Sequence, residues 1–301
     1  MPDIDLDWLA GLYVPVTTPF DPVTGDAAPV SLRDNLRRWL DQPIDGFLLF
    51  GSTGEGALLD EDEKIQLLEY ARDVVPPVRG LLAGAGADST RAAIRLAKRF
   101  ADAGADAVLV HAPTYYGPVL SAAAVRDHFT ALADASPVPV LLYYMPKYVH
   151  VDLDPGLVGE LTRHPNVAGI KDSSGDLKRF ADYTEACDEG VRLFVGNGTL
   201  LYSALELGAV GGILAAGLLA AQDYGALIKH YREGRSQEAG RLQEKLSPVH
   251  REIVAKAGIA GVKVAMDMLG LTGGPPRSPL RPLSDKDQEH VGQVLMQAGL
   301  L

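Results

Sequence analysis

Apolar residues along the chain gather into short, nearly continuous runs, each ending in a break of Gly, Ser, Thr or Pro and followed by a stretch with helical spacing. Eight runs are legible, at residues 12–16, 46–50, 79–83, 107–111, 138–143, 167–171, 192–195 and 210–214. Between them, residues 32–40, 60–74, 89–103, 122–135, 155–163, 177–187 and 199–207 read as amphipathic helices. Runs that are apolar without alternation suit parallel strands covered on both faces and joined by helical crossovers. Eight such units close a (β/α)8 barrel, so the predicted fold is α/β, a TIM barrel. A doubly wound open sheet is the competing architecture. Against it, no strand is followed by a dinucleotide G-x-G-x-x-G fingerprint; Gly84-Ala85-Gly86 is only a fragment of one.

Beyond residue 214 the pattern becomes helical, at 222–233, 236–246, 251–257, 261–269 and 285–297. The expected organisation is a barrel over residues 1–221 that carries the active site and a small C-terminal helical domain over 222–301. Within the latter, Thr272-Gly273-Gly274-Pro275-Pro276-Arg277-Ser278-Pro279 cannot be helix and marks a loop.

Composition narrows the function classes. With 301 residues, 47% hydrophobic and 22% charged, the chain can bury a full core. Its 28 Lys+Arg against 39 Asp+Glu give a net charge of -11, a mean field that repels nucleic acid and acidic membrane surfaces. The weakly polar stretch 207–221 is Gly-interrupted and too short to span a bilayer. Met1-Pro2-Asp3-Ile4-Asp5 is acidic where a presequence is basic, so cytoplasmic residence is the default expectation. The single cysteine, Cys187, stands among Glu185, Asp188 and Glu189, which raise a thiol pKa, and reads as structural.

In a barrel the chemistry collects where strands run into the loops that precede helices. Lys171 ends the sixth run and is followed by Asp172-Ser173-Ser174-Gly175-Asp176. An ammonium there loses hydration, which favours the neutral amine, and a neutral amine can attack a ketone to form a Schiff base. The alternative is a lysine that snorkels from the rim. Tyr143, at the end of the adjacent fifth run, can relay a proton or simply pack. After the second run, Gly51-Ser52-Thr53-Gly54-Glu55 offers hydroxyls and accessible backbone N–H groups suited to a small carboxylate or phosphate, or helix caps. No Gly-Lys-Ser/Thr follows, so this is not a Walker loop. Asp172 and Glu55 read as groups that orient loops or cap helices. His111 and His150 lack partners at metal-ligand spacing.

Taken together, Gly51-Ser52-Thr53-Gly54-Glu55, Tyr143-Tyr144-Met145-Pro146 and Gly169-Ile170-Lys171-Asp172 resemble the motifs of the dihydrodipicolinate synthase/N-acetylneuraminate lyase family of pyruvate-dependent class I aldolases, in order and spacing from Thr17 to about Leu283. That resemblance implies a barrel with helical C-terminal part, commonly a tetramer and otherwise a dimer, that needs no metal or organic cofactor. It implies Lys171 as the Schiff-base lysine, Tyr143 as the catalytic tyrosine, and Ser52 and Thr53 as the hydroxyl pair for the pyruvate carboxylate. Tyr116 resembles the relay tyrosine donated across a dimer interface, with Tyr115 the other candidate for that place. Thr18, Gly51, Gly196, Asn197 and Ile213 complete the expected substrate-binding positions at the strand ends.

Departures narrow the branch. The synthase branch carries Pro-Ser-Arg-Thr-Gly after its tyrosine motif, with the arginine on the second substrate's carboxylate; here Pro146 is followed by Lys147-Tyr148-Val149-His150, and Tyr148 takes the matched position. A planar bidentate clamp is thereby lost. Lys171-Asp172-Ser173-Ser174-Gly175-Asp176, the Tyr115-Tyr116 loop, and Gly258-Ile259-Ala260-Gly261-Val262-Lys263 leading to Gly273-Gly274-Pro275-Pro276-Arg277-Ser278-Pro279-Leu280 are more similar to the 4-hydroxy-2-oxoglutarate aldolase branch. There Ser173 is placed to bond a substrate hydroxyl. The expected activity is cleavage or formation of a 4-hydroxy-2-oxo acid, with pyruvate and an aldehyde as partners. Dihydrodipicolinate synthesis, a 2-keto-3-deoxy sugar acid aldolase or dehydratase, and a catalytically silent 2-oxo acid sensor are the rivals.

Overall fold

The computed structural model of the protein describes residues 6–301; the acidic segment 1–5 lies outside the described residues. Eight parallel strands close a barrel among the described residues, each paired with its neighbours in chain order and the last with the first. They are β1 (Gly11–Pro15), β2 (Gly46–Leu49), β3 (Gly80–Gly84), β4 (Ala107–His111), β5 (Val140–Tyr144), β6 (Val167–Asp172), β7 (Arg192–Val195) and β8 (Gly211–Ile213). All eight predicted strands are present, and β4 and β7 have the predicted bounds.

The helices between them are α1 (Pro29–Leu40), α2 (Glu61–Arg72), α3 (Thr90–Asp102), α4 (Ala122–Ala135), α5 (Pro155–Leu161), α6 (Leu177–Ala186) and α7 (Leu201–Glu206). Their starts are fixed by local chemistry. The Asp60 carboxylate accepts from the Glu63 N–H while Glu63 reaches back to the Asp60 N–H, a reciprocal cap, and Ser89, Ser121, Asp154 and Asp176 cap α3 to α6 through side-chain oxygens.

After β8 come α8 (Ala221–Arg232), α9 (Ser236–Pro248), a π-helical stretch (Val249–Lys256), α10 (Gly258–Met268) and α11 (Asp285–Gln297). An ordinary helix is predicted at 251–257; the wider π turn there swings His250 and Ile253 into the protein.

Two apolar layers form around the strands. One lies between strands and helices and includes Leu12, Val14, Val110, Leu142 and Ile170. The other fills the barrel and includes Tyr13, Leu48, Leu82, Leu141, Tyr143, Phe194 and Ile213. Because the barrel is plugged by side chains along most of its length, a small molecule finds room only at its mouth.

Candidate active site

Lys171 reaches the barrel interior because β6 is irregular. Val140 pairs with Val167, but the next residue, Leu141, pairs with Gly169, so β6 carries one extra residue at Ala168–Gly169. Ala168 faces the interior, and simple alternation would send Ile170 inward and Lys171 out. The bulge resets the alternation: Ile170 joins the outer layer, and Lys171 lies at the interior tyrosine. Gly169 is required there, since its φ is 155° and a Cβ would fall 2.0 Å from the Arg192 carbonyl oxygen.

In register across the sheet, His111 of β4 stands beside Tyr143 of β5, Tyr143 beside Lys171 of β6, and Lys171 beside Phe194 of β7. The Lys171 Nζ sits 4.5 Å from the centroid of the Tyr143 ring, and its side chain is buried. Loss of hydration lowers the Lys171 pKa to about 7. Asp172, the next residue, points to the other face of β6. Its carboxylate accepts from the Ser174 N–H and hydroxyl, both at 2.9 Å, and burial raises its pKa to about 6. It acts on the loop, as its position in the sequence suggests.

Tyr143 is buried, which raises its pKa, while hydrogen bonds with Ser52 and Ser173 pull it back. Its hydroxyl is 3.4 Å from the Ser52 Oγ. Ser173 continues β6, its N–H donating to the Tyr144 carbonyl at 2.9 Å, and its hydroxyl occupies the space at Gly196, where a Cβ would come within 1.9 Å of it. Lys171, Tyr143, Ser52 and Ser173, taken from three different strand ends, are therefore brought together.

The turn after β2 is bracketed by two left-handed residues, Phe50 at φ 59° and Glu55 at φ 54°. Inside it the Gly54 and Gly56 N–H groups donate to the Gly51 carbonyl at 3.1 and 3.2 Å. The Thr18 hydroxyl donates to the Gly54 carbonyl at 2.7 Å, so this residue ties the turn to β1. Thr53 lies beside Ser52 on the turn, partly buried.

A cavity of about 710 Å³ opens at this end of the barrel, with Gly51, Ser52, His111, Tyr143, Met145 and Tyr148 on its wall. The cavity runs outward past Leu58, Glu61, Lys64 and Arg95, and Lys171 is not on its wall; Tyr143, against which the Lys171 Nζ lies, is. Asn197 turns its side-chain carbonyl to the Thr199 N–H and hydroxyl, at 2.9 and 2.8 Å, and shapes the loop after β7. Ile213 is buried in the interior layer with Tyr143 and Phe194.

Tyr116 is not brought to Lys171 within this chain. It and Tyr115 are 64% and 78% exposed and meet edge to face at 5.0 Å, on a loop held by Asp88, which accepts from the N–H groups of Thr114 and Tyr115. His111 belongs to the wall although the sequence reading considered it only as a metal ligand; its place at a strand end was the available signal. Among the described residues, no group of three or more His, Cys, Asp or Glu side chains could hold a metal ion, and no helix is long and apolar enough to cross a membrane. Cys187 is partly buried, which raises its thiol pKa.

The profile of the dihydrodipicolinate synthetase family matches residues 8–298. A 4-hydroxy-tetrahydrodipicolinate synthase of Prochlorococcus marinus is 34% identical over 297 residues, covering 98% of this chain and 97% of the relative. One of Syntrophus aciditrophicus is 31% identical over 291 residues, covering 97% and 99%. The crystal structure of a chloride-inhibited dihydrodipicolinate synthase from Acinetobacter baumannii complexed with pyruvate superimposes with a TM-score of 0.92 at 28% identity, covering 97% of this chain and 99% of that one. The chain belongs to the dihydrodipicolinate synthetase family and is a lysine-dependent class I aldolase or lyase.

Proposed function

We propose that this enzyme cleaves, or in reverse forms, a 4-hydroxy-2-oxo acid such as 4-hydroxy-2-oxoglutarate, with pyruvate and an aldehyde as the fragments. The Schiff-base chemistry rests on Lys171, a buried amine with its pKa lowered to about 7 against the Tyr143 ring and beside a hydroxyl-bearing turn, and the choice of substrate rests on Tyr148 at the position of the synthase branch's clamp arginine.

In the proposed cycle the substrate carboxylate rests on Ser52 and Thr53. The Lys171 amine adds to the C2 carbonyl, and the carbinolamine loses water to give a protonated imine. The C4 hydroxyl proton passes through the Tyr143 hydroxyl relay to water, the C3–C4 bond breaks, and its electron pair moves into the imine to give an enamine while the aldehyde departs. Protonation at C3 and hydrolysis release pyruvate and restore the amine. Tyr143 keeps its proton at neutral pH because burial raises its pKa, so it serves as a relay rather than a standing base. Ser52 is the next hydroxyl in that relay. Ser173, which hydrogen-bonds Tyr143, is the proposed partner of the substrate hydroxyl. The exposed Tyr115-Tyr116 pair supports a homo-oligomer in which Tyr116 serves a neighbouring copy.

A second reading, dihydrodipicolinate synthesis, is favoured by the names of the relatives. Tyr148 in place of the clamp arginine stands against it. Cleavage of 4-hydroxy-2-oxoglutarate is to be assayed beside condensation of pyruvate with aspartate semialdehyde and dehydration of a 2-keto-3-deoxy sugar acid. Faster turnover of either of the latter two removes the first reading. Borohydride with pyruvate should fix an adduct on Lys171, and an unmodified Lys171 peptide under conditions that label a known class I aldolase would refute the mechanism. Pyruvate release by the wild type but not by Lys171→Ala dismisses a silent sensor.

A further inference from the structure

The turn that carries Ser52 and Thr53 is held by a charged pair from the far end of the chain. Lys263, on α10, places its Nζ 2.5 Å from the Glu55 Oε1, and neither side chain has any solvent exposure. The same Nζ donates to the Pro275 carbonyl at 2.9 Å and lies 4.4 Å from the centroid of the Phe20 ring. The other Glu55 oxygen accepts from the Arg277 backbone N–H at 2.8 Å. Arg277 in turn grips Glu63 with two nitrogens, at 2.6 and 2.7 Å, and donates to the Leu58 carbonyl at 3.0 Å. Asn35 fixes the start of this loop by exchanging two 2.8 Å hydrogen bonds with the Thr272 backbone.

We propose that the Glu55–Lys263 pair positions the β2 turn, forcing it into the shape in which Ser52 and Thr53 receive the carboxylate of a 2-oxo acid. The proposal rests on the functional reading above for the identity of that ligand. Two independent features lead to it. First, Phe50 and Glu55 occupy left-handed backbone conformations that residues with a Cβ avoid, and such strain persists only where the surroundings over-determine it. Glu55 is both a strained residue and the one gripped on each carboxylate oxygen. Second, two charges without solvent contact recover little net stability, because well-packed apolar side chains of similar size would serve folding as well or better. What this pair supplies that apolar side chains of similar size cannot is directional contact on both Glu55 oxygens. Neither Glu55 nor Lys263 touches Lys171 or Tyr143 in this arrangement, so the pair acts through the turn.

The test uses the full-length protein. Glu55→Gln combined with Lys263→Met removes both charges and leaves neither one buried alone; Lys263→Arg keeps the charge but displaces it. Two quantities are read: the pyruvate concentration that half-saturates borohydride trapping on Lys171, with the limiting trapping rate, and deuterium exchange of the 50–58 backbone. For the double variant we expect a half-saturating concentration raised about tenfold or more, a limiting rate within about threefold of wild type, and faster exchange at 50–58 but not at 192–198. Lys263→Arg should move both readouts in the same direction by less. A folded double variant with wild-type exchange and wild-type half-saturation overturns the proposal. If the double variant does not fold, wild-type values for Lys263→Arg overturn it. If the wild type itself traps no pyruvate, the functional reading fails, and the exchange of the turn alone decides whether the pair positions it.

Discussion

Replacing Lys171 by Met, which fills similar space without an ionisable group, should change how stability depends on pH. The folded-state pKa of Lys171 is about 7, against 10.5 for a hydrated lysine. Between those values the unfolded chain binds a proton that the folded chain does not, so folding becomes more favourable as pH rises across that window. Below about pH 7 the full penalty is felt; by about pH 10.5 it is gone. The gap corresponds to about 5 kcal/mol, a large share of a domain's net stability. Lys171→Met should therefore exceed wild type most at neutral and lower pH, with the advantage shrinking steadily towards pH 10. Urea unfolding of both proteins across this range measures the difference, and titrations common to both cancel. A difference that does not vary with pH would refute the buried-amine argument. The same lowered pKa leaves about half of Lys171 neutral at pH 7, against roughly one in 3,000 for a hydrated lysine. The rate of imine trapping by pyruvate should accordingly titrate near pH 7; a midpoint near that of free lysine would contradict the burial.

Other expectations follow from single contacts. Tyr143→Phe removes the relay hydroxyl and keeps the ring against Lys171, so imine trapping should persist while carbon–carbon cleavage falls about 10²- to 10⁴-fold, read as kcat on the preferred substrate. Ser52→Ala should raise the half-saturating pyruvate concentration about tenfold and also slow proton transfer, since Ser52 neighbours the Tyr143 hydroxyl; an unchanged KM would remove Ser52 from the carboxylate site. Gly169→Ala puts a methyl 2.0 Å from the Arg192 carbonyl oxygen, so the bulge must shift, with a loss of more than about 2 kcal/mol in chemical unfolding and loss of trapping on Lys171. His250 accepts the Gly198 N–H through Nδ1, and burial lowers its pKa from 6.5 to about 4. The unfolded chain then binds the extra proton between those values, so stability falls on acidification through that window, by about 3 kcal/mol. His250→Asn should flatten that part of the Tm–pH curve.

The strands were legible because parallel strands buried on both faces leave continuous apolar runs, and the helices because their apolar positions recur at helical spacing; the caps at Asp60, Ser89, Ser121, Asp154 and Asp176 that fix their starts emerge from the structure. Lys171 was legible as a strand-end amine. Its direction was not: Val167-Ala168-Gly169-Ile170 is apolar on both faces, so nothing in its pattern records the extra residue that turns Lys171 inward. The π turn at Val249–Lys256 is illegible for a related reason, since a changed hydrogen-bond repeat over two turns leaves the apolar spacing almost intact. Lys263 stands in an apolar helical stretch, where sequence alone cannot tell a buried cation from one that reaches solvent; its partner is 208 positions away in a turn whose own motif explained Glu55 as a cap or loop anchor.

The choice of aldehyde depends on a different kind of contact from those that hold pyruvate. On the side proposed for pyruvate the groups are fixed by the barrel: Lys171, buried, by a bulge, Tyr143, buried, by its register, and Ser52, partly buried, by its turn. On the far side the wall is formed by Tyr148, half exposed, with the Lys147 Nζ 5.4 Å above its ring, and by His111, whose Nδ1 is paired with the Ala112 carbonyl at 2.7 Å so that Nε2 is the nitrogen left for a ligand. The exposed ammonium is a point charge that attracts a carboxylate without fixing its plane as a guanidinium fork does, while an Nε2 left as a lone pair accepts only from a donor such as a hydroxyl. Discrimination between a charged and an uncharged aldehyde is then modest, because strong rejection arises when a substrate leaves a buried polar group of the enzyme unpaired. Lys147 is open to water and loses little when no carboxylate arrives. In the proposed site the imine chemistry is set by the fold, and with Tyr148 at the position proposed for the clamp arginine the expected outcome is comparable kcat/KM for charged and uncharged aldehydes; a preference for a charged aldehyde of more than about a hundredfold would refute this.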